Sequence, residues 1–515
     1  MSSSLDAARR DRDLDALARG ARVDVLVIGG GVTGAGVALD AASRGLSVAL
    51  VEAHDLAFGT SRWSSKLVHG GLRYLAGGHV GIAHESAVER GHLMQRIAPH
   101  LVHALPQLMP EYDTGLREHL KYIGIGGVAD LLRAAARTGR GTLPKPRVLG
   151  RVETGRIAPM LRPGFRGGLT IWDGQLVDDA RLVVAIARTA AAHGARIVTR
   201  CRALQVTGDG ARLRDELTGV ELDVSARAVV NATGVWAGTL APDVALRPSR
   251  GTHLVVRSRA LGALGAAVSV PFRTDPSRFL LVLPWSDGLT LIGLTDVDAG
   301  GELPEVPHPD DAEVDELLGA VDDVLRVPIG REDVVGAFAG LRPLLADPDE
   351  VGAPTSDLSR RHSVTVAADG LVTVTGGKLT TYRRMAEDAV DTVVRLRGLP
   401  AGRCRTPWLP LVGAAPAASL DRIDAPRRLV ERYGTEAVRV LAEADGDPAL
   451  LRPVADGVAV TGAELRYAVR HEGALDEDDL LDRRTRVGLV PADRERALSA
   501  ARAALNLPSE LTVAR

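Results

Sequence analysis

Gly29, Gly31 and Gly34 stand in Gly-x-Gly-x-x-Gly spacing, and Glu52 closes the next apolar run. In such spacing the first glycine permits a tight turn and the second lets backbone approach a pyrophosphate. The third lets a helix pack closely on a strand. The N-terminus of that helix offers unpaired N–H groups to an anion, and a carboxylate placed like Glu52 accepts hydrogen bonds from ribose hydroxyls. The chemistry predicted is the binding of an ADP-containing dinucleotide. Further along, charged side chains lie beside glycines or prolines. Arg73 follows Gly70-Gly71-Leu72, and Arg342 lies in Gly340-Leu-Arg-Pro343. Arginine is planar and permanently charged, which suits a phosphomonoester dianion. His253, in Arg250-Gly-Thr-His-Leu254, carries an imidazole that can take a proton near neutral pH. A lone histidine is nonetheless more often structural. Lys378, after Gly376-Gly377, is placed to stabilise developing negative charge. Its plainer reading is a solvated lysine on a loop. No group of His, Cys, Asp and Glu has metal-ligand spacing, so no metal is expected.

These residues need elements to hold them. Val23–28 and 48–51 read as strands around a small-residue helix, a βαβ unit. A loop rich in Gly, Ser and basic residues follows over 57–78, in which Ser64 and Lys66 are the expected donors to the cofactor and His69 an expected pocket residue. Segments 83–97 and 116–138 have helical character, the second around a glycine break at 124–127. Residues 178–193 read as an amphipathic helix and 195–206 as one strand-like run. Two later strands also stop at glycines, 226–231 before Gly234 and 371–374 before Gly376 and Gly377. A helix over 384–397 follows the second, with Thr380 and Thr381 expected to cap it and touch the cofactor. Between them, residues 250–296 become β-rich, with a hairpin turn at 286–288. Three separated strand–glycine junctions indicate one discontinuous nucleotide domain interrupted by a second module. A nicotinamide enzyme usually keeps its nucleotide fold contiguous, so FAD is the expected cofactor. The fold class expected is α/β, a discontinuous Rossmann-like FAD domain with an antiparallel-sheet substrate domain and an α-helical C-terminal domain. The boundaries expected are a polar lead-in over 1–20, FAD-domain segments 21–105, 165–248 and 335–398, a substrate module of 106–164 and 249–334, and a helical domain over 399–515.

The run Gly59-Thr-Ser-Arg-Trp-Ser-Ser-Lys-Leu-Val-His-Gly-Gly-Leu-Arg-Tyr74, with the Gly29–Glu52 fingerprint, Gly340-Leu-Arg-Pro-Leu344 and Gly376-Gly-Lys-Leu-Thr-Thr-Tyr-Arg383, resembles the FAD-dependent glycerol-3-phosphate dehydrogenase family. Glu464-Leu-Arg-Tyr-Ala-Val-Arg-His-Glu472 and Asp482-Arg-Arg-Thr-Arg-Val487 are similar to that family's C-terminal domain, so the resemblance spans nearly the whole chain. It implies oxidation of sn-glycerol 3-phosphate at C2 to dihydroxyacetone phosphate, with electrons leaving for a membrane quinone. It implies that Arg73, Tyr74 and Arg342, assisted by Arg360, hold the substrate phosphate, and that His253 is the active-site histidine, with Lys378 its competitor as base. The alternatives are an oxidase of the same substrate that makes peroxide from O2, and a flavin-dependent amine or amino-acid oxidase. The arginines argue for phosphate against the latter.

Composition narrows the remaining classes. The chain is 45% hydrophobic and 25% charged with a net charge of −2, ordinary for globular proteins and without the basic excess of a nucleic-acid binder. Two cysteines, Cys201 and Cys404, form no disulfide framework, and the expected location is cytoplasmic. No stretch is apolar enough to span a bilayer, so association with the inner face of the membrane is expected to be peripheral. A second copy of the chain is a further candidate partner.

Overall fold

The computed structural model describes residues 1–515 except 77, 113–115, 273–277, 347–360 and 507–515, together with the side chains of 73, 76, 116–119 and 121. Two sheets organise it. The first has eight strands. Val23–Ile28 lies at its centre, paired in parallel with Val48–Val51 on one side and with Glu221–Asn231 on the other. Arg196–Val198 extends one edge in parallel, and Val372–Gly376 pairs in parallel with Glu221–Asn231. Runs such as Val-Ala-Leu-Val are apolar on both faces because both are covered, Ala49 and Val51 by Leu17, Cys201, Ala211 and Leu213, and Val48 and Leu50 by helices. Val32–Ser43, Asp179–Ala192 and Tyr382–Arg397 pack there, joining the strands in one core. Val32–Ser43 is built of small residues, and a Cβ on Gly36 would lie 2.9 Å from the Tyr382 ring. Asp178 caps Asp179–Ala192, accepting from the Ala180 and Arg181 amides at 3.0 and 3.3 Å.

The second sheet has ten strands, and all but one of its pairings are antiparallel. Val102–Glu111 pairs in parallel with Ala267–Pro271. Phe279–Pro284 and Leu289–Gly293 form the expected hairpin across 286–288, and Asp311–Asp322 covers a separate core. The C-terminal region holds Arg427–Tyr433, Ala437–Ala442, Gly462–His471 and Pro491–Leu505 as helices.

Several expected boundaries are corrected. The lead-in is the helix Ala7–Ala18. Asp6 caps it by accepting from the Arg9 amide at 2.7 Å, Leu17 is buried, and the buried Arg10 pairs with Asp215. Segments 167–176 and 334–342, and strands at 67–68 and 102–105, belong to the second sheet and not to the nucleotide sheet. Leu116–Ala135 runs unbroken through its glycines. The run 195–206 is two strands, parted at Arg200, whose φ is +53°. A hairpin, Pro453–Ala455 with Val458–Thr461, interrupts the C-terminal helices.

Candidate active site

A cavity of about 1960 Å³ is lined from both sheets, about twice the ~1,000 Å³ upper end for ordinary ligand pockets. One end carries the nucleotide fingerprint. Val23–Ile28 stops at Gly29, whose φ of +111° only glycine adopts without strain. A Cβ on Gly34 would lie 1.9 Å from the Gly29 carbonyl oxygen, so helix and strand touch there through backbone. Gly31 caps Val32–Ser43 and lines the cavity, as does Ser61, whose Oγ accepts from the Val32 amide at 2.9 Å. Glu52 accepts from the Gly30 amide at 2.5 Å and the His54 amide at 2.8 Å. Burial raises its pKa against the pull of those two bonds. A carboxylate has about four acceptor positions, so two are left for ribose hydroxyls. Gly234 (φ +65°), Gly376 (+72°) and Gly377 (+73°) line the same cavity. The three strand–glycine junctions therefore converge on one space.

The other end carries charge and a histidine. His253, on Ser249–Arg257, lies flat against Phe338 of the paired strand Val334–Arg342, centroids 4.8 Å apart. On the other neighbouring strand a Cβ at Gly293 would approach the ring to 2.4 Å, so the slot admits only glycine. Nε2 is hydrogen-bonded to Ser65 Oγ at 2.9 Å, while Nδ1 is buried with no partner among the described residues. Burial, reinforced by the Lys66 and Arg342 cations, pushes the imidazole down to about 3, so it is neutral at ordinary pH. Arg342 donates from Nη1 to Ser249 Oγ at 2.9 Å and from Nη2 to the Thr295 carbonyl at 3.3 Å, with Asp296 3.5 Å away. Gly251 makes room for it, since a Cβ there would lie 2.2 Å from Nη2. Lys378 donates to Ser86 Oγ at 2.6 Å and lies 4.2 Å from the centre of the Tyr74 ring, which in turn stacks on His69.

Residues 24–383 match the FAD dependent oxidoreductase family, and residues 404–511 match the C-terminal domain of alpha-glycerophosphate oxidase. The chain is 53% identical to glycerol-3-phosphate dehydrogenase 1 of Mycobacterium tuberculosis over 511 residues, covering 97% of this chain and 98% of that one. The chain belongs to the FAD-dependent glycerol-3-phosphate dehydrogenase family. It is also 35% identical to the mitochondrial glycerol-3-phosphate dehydrogenase SDP6 of Arabidopsis thaliana, over 92% of this chain and 80% of that one. Among solved structures, the glycerol-3-phosphate dehydrogenase of Bacillus halodurans complexed with FAD superimposes with a TM-score of 0.75 at 28% identity, covering 98% of this chain and 95% of that one. The donor set here fits the cofactor of the FAD-dependent glycerol-3-phosphate dehydrogenase family. Two free acceptor positions on Glu52, a helix N-terminus behind Gly31 and backbone exposed at Gly234 and Gly376 are what a dinucleotide requires.

Of the residues expected at the site, Tyr74, His253, Arg342, Lys378, His69 and Thr380 line the cavity with the glycines, and so does Ser64. Gly34 stands behind the wall and makes the close approach its place in the fingerprint demands. The Arg73 side chain and the whole of Arg360 lie outside the described residues. Three expectations are corrected. Lys66 is fully buried and all three of its hydrogens are committed, to the Arg62 and Ser64 carbonyls and to Asp179 Oδ2 at 2.7 Å, so it donates nothing to a cofactor. Burial lowers its pKa to about 8. Gly70 gives its amide to Asp173 and faces the Arg90 guanidinium. Thr381 occupies the cap position but makes no side-chain cap, donating instead to the Lys378 carbonyl at 3.3 Å. Ser64 reaches the wall with its hydroxyl already given to Asp179. Ser61 and Ser65 are the serines with roles at the wall, and Phe338, Ser249 and Asp296 were not legible at all. The signal for Ser65, Phe338, Ser249 and Asp296 was non-local, since each is defined by a residue at least 40 positions away.

Proposed function

We propose that this chain oxidises sn-glycerol 3-phosphate at C2 to dihydroxyacetone phosphate and passes the electrons to a quinone at the inner face of the cell membrane. The observation that carries the reading is the placement of Arg342 and a neutral His253 in the same cavity as the three dinucleotide junctions. Bound FAD, held by Glu52, the Gly31 helix start, Gly234 and Gly376–Gly377, supplies the two-electron acceptor. Arg342 binds the phosphate, its plane fixed by Ser249 and the Thr295 carbonyl. His253, oriented by Ser65 and Phe338, takes the C2 hydroxyl proton. The cation at Arg342 is one cause of its low proton affinity, so a phosphate dianion seated there strengthens the base as the substrate arrives. Lys378, a donor to Ser86 at the cavity wall, is placed to stabilise developing negative charge.

Support for the membrane acceptor comes from one surface. Among the described residues no helix is long and apolar enough to cross a membrane. Helix Leu116–Ala135 exposes Leu120, Ile123, Val128 and Leu131, one stripe at helical spacing, and Val128 with Ile125 also lines the cavity. Residues 116–166 carry 11 Lys and Arg against 3 Asp and Glu in a chain of net charge −2. An exposed apolar stripe beside the cavity, in a segment of basic composition, suits an anionic bilayer. The test is anaerobic addition of glycerol 3-phosphate to the purified holoenzyme with flavin absorbance followed. Bleaching, then recovery on adding quinone in anionic vesicles, is expected. No bleaching overturns the reading; recovery only in air, with stoichiometric peroxide, makes the chain an oxidase.

A further inference from the structure

The loop between Glu52 and Lys66 supplies Ser61 to the nucleotide helix and Ser65 to His253, and Asp55 and the Arg62 carbonyl within it are hydrogen-bonded to the C-terminal domain. Asp55 is fully buried and accepts from Arg483 Nε at 2.7 Å and from both Nη atoms of Arg484, at 2.7 and 2.8 Å. The Arg62 carbonyl accepts from Arg486 Nη2 at 2.6 Å and from Lys66 Nζ at 2.9 Å. The Arg486 guanidinium lies 5.3 Å from the Trp63 ring centre and 3.9 Å from Asp178, which also pairs with Arg432. Arg486 has φ +65°, a left-handed conformation that a non-glycine residue keeps only where its surroundings enforce it.

We infer that the C-terminal domain positions the Ser61–Lys66 loop, and through it the Ser65–His253 pair, with Arg486 as the positioning residue. Lys66 and Arg486 grip one carbonyl from two sides, and Lys66 is itself fixed on Asp179 at the start of a buried helix. Ser65, the next residue along, therefore has little freedom to leave His253. Ser65 limits which way the imidazole can turn, so the orientation of the base is set from a domain none of whose described residues lines the cavity. The inference rests on the reading of His253 as the base.

The test uses the full-length holoenzyme and the variants Arg486→Ala and Arg486→Lys, with Arg428→Ala as control. Arg428 also joins the C-terminal domain to the rest, through Asp287, and is held within its own domain by Glu464; no hydrogen bond among the described residues ties it to the loop. Arg486→Ala is expected to keep its flavin and a KM for glycerol 3-phosphate within about threefold, while kcat falls roughly 10- to 100-fold, the range for a slightly misplaced catalytic group. The acid limb of its kcat–pH profile and the visible circular dichroism of the bound flavin should both shift. Arg486→Lys should fall between alanine and wild type, since lysine reaches the carbonyl but cannot also stay near Asp178. Arg428→Ala should change thermal stability and none of these. The inference is overturned if Arg486→Ala retains wild-type kcat. It is overturned equally if the two arginine-to-alanine variants lose kcat in proportion to their stability. If Arg486→Ala does not fold, Arg486→Lys decides, and wild-type kcat and pH profile in it are the negative result. Should the wild-type flavin fail to bleach, the functional reading falls, while the circular dichroism, which needs no substrate, still judges the clamp.

Discussion

Replacing Arg342 by alanine isolates the phosphate contact. Its guanidinium is held by Ser249 Oγ and the Thr295 carbonyl, with Asp296 close by, so it meets a dianion as a fixed fork and not as a mobile point charge. Each charge-assisted hydrogen bond is worth about 1.5–3 kcal/mol. A two-pronged contact is therefore worth about 3–6 kcal/mol, or roughly 10²- to 10⁴-fold in kcat/KM at 1.4 kcal/mol per tenfold. The phosphate does not react, and the contact is the same in bound substrate and transition state. The loss should appear mainly in KM. Arg342→Lys keeps the charge but not the fork and should recover about half of the lost free energy. Steady-state kinetics with a dye acceptor measure both variants, and flavin absorbance of the purified protein reports cofactor retention. A kcat/KM within threefold of wild type refutes the assignment. So does loss of flavin from a folded variant, which would move Arg342 to the cofactor.

Three more perturbations probe the rest of the site. His253→Gln should lower kcat about 10²- to 10⁴-fold, the usual contribution of a positioned base, with KM little changed; a change confined to KM would make His253 a binding residue. Gly34→Ala places a Cβ 1.9 Å from the Gly29 carbonyl, so purified protein should contain less than about a tenth of the wild-type flavin; full occupancy would mean that helix and strand can separate. Burial holds His253 and His100 at about 3, below the ordinary 6.5. Each takes up a proton on unfolding between pH 6.5 and 3, so the unfolded state binds more protons and stability falls as pH falls. Each contributes about 1.4 kcal/mol per pH unit, or about 2 kcal/mol at pH 5. His100→Gln should flatten the acid decline of the unfolding midpoint; an unchanged decline excludes His100 as a source.

What the sequence made legible was what is local. Val23–Ile28, Val48–Val51 and the glycines between them form a pattern that works within 30 residues, and the hairpin at 286–288 is equally local. Gly167–Leu176 escaped because its glycines weaken any strand signal, and only its pairing with Val102–Glu111 makes it one. The glycines of Leu116–Ala135 look like a break because each costs a helix about 1 kcal/mol. Gly126 is nonetheless used: a Cβ there would press on Leu169 and Pro146 at 3.3 Å. Lys66 shows the limit most clearly. Its place in a serine-rich loop marks it as a donor, but nothing nearby reveals that its acceptor is Asp179, 113 positions on.

The path of the nucleotide sheet bears on how the protein is made. Val23–Ile28 and Val48–Val51 leave the ribosome early, but Glu221–Asn231 acquires its neighbour Val372–Gly376 only after all ten strands of the second sheet have been synthesised. Leu5 waits longer still for its bridge to Glu472. Pairings this distant form slowly, and until then the nascent chain carries an open, apolar parallel edge of the kind that aggregates. The glycine junctions reach their common space only when the last strand docks, so the cofactor can stabilise the chain only at the end of this process. Its contribution then grows with the logarithm of its free concentration. A cell short of flavin would therefore be expected to hold less of this protein as well as less of its activity.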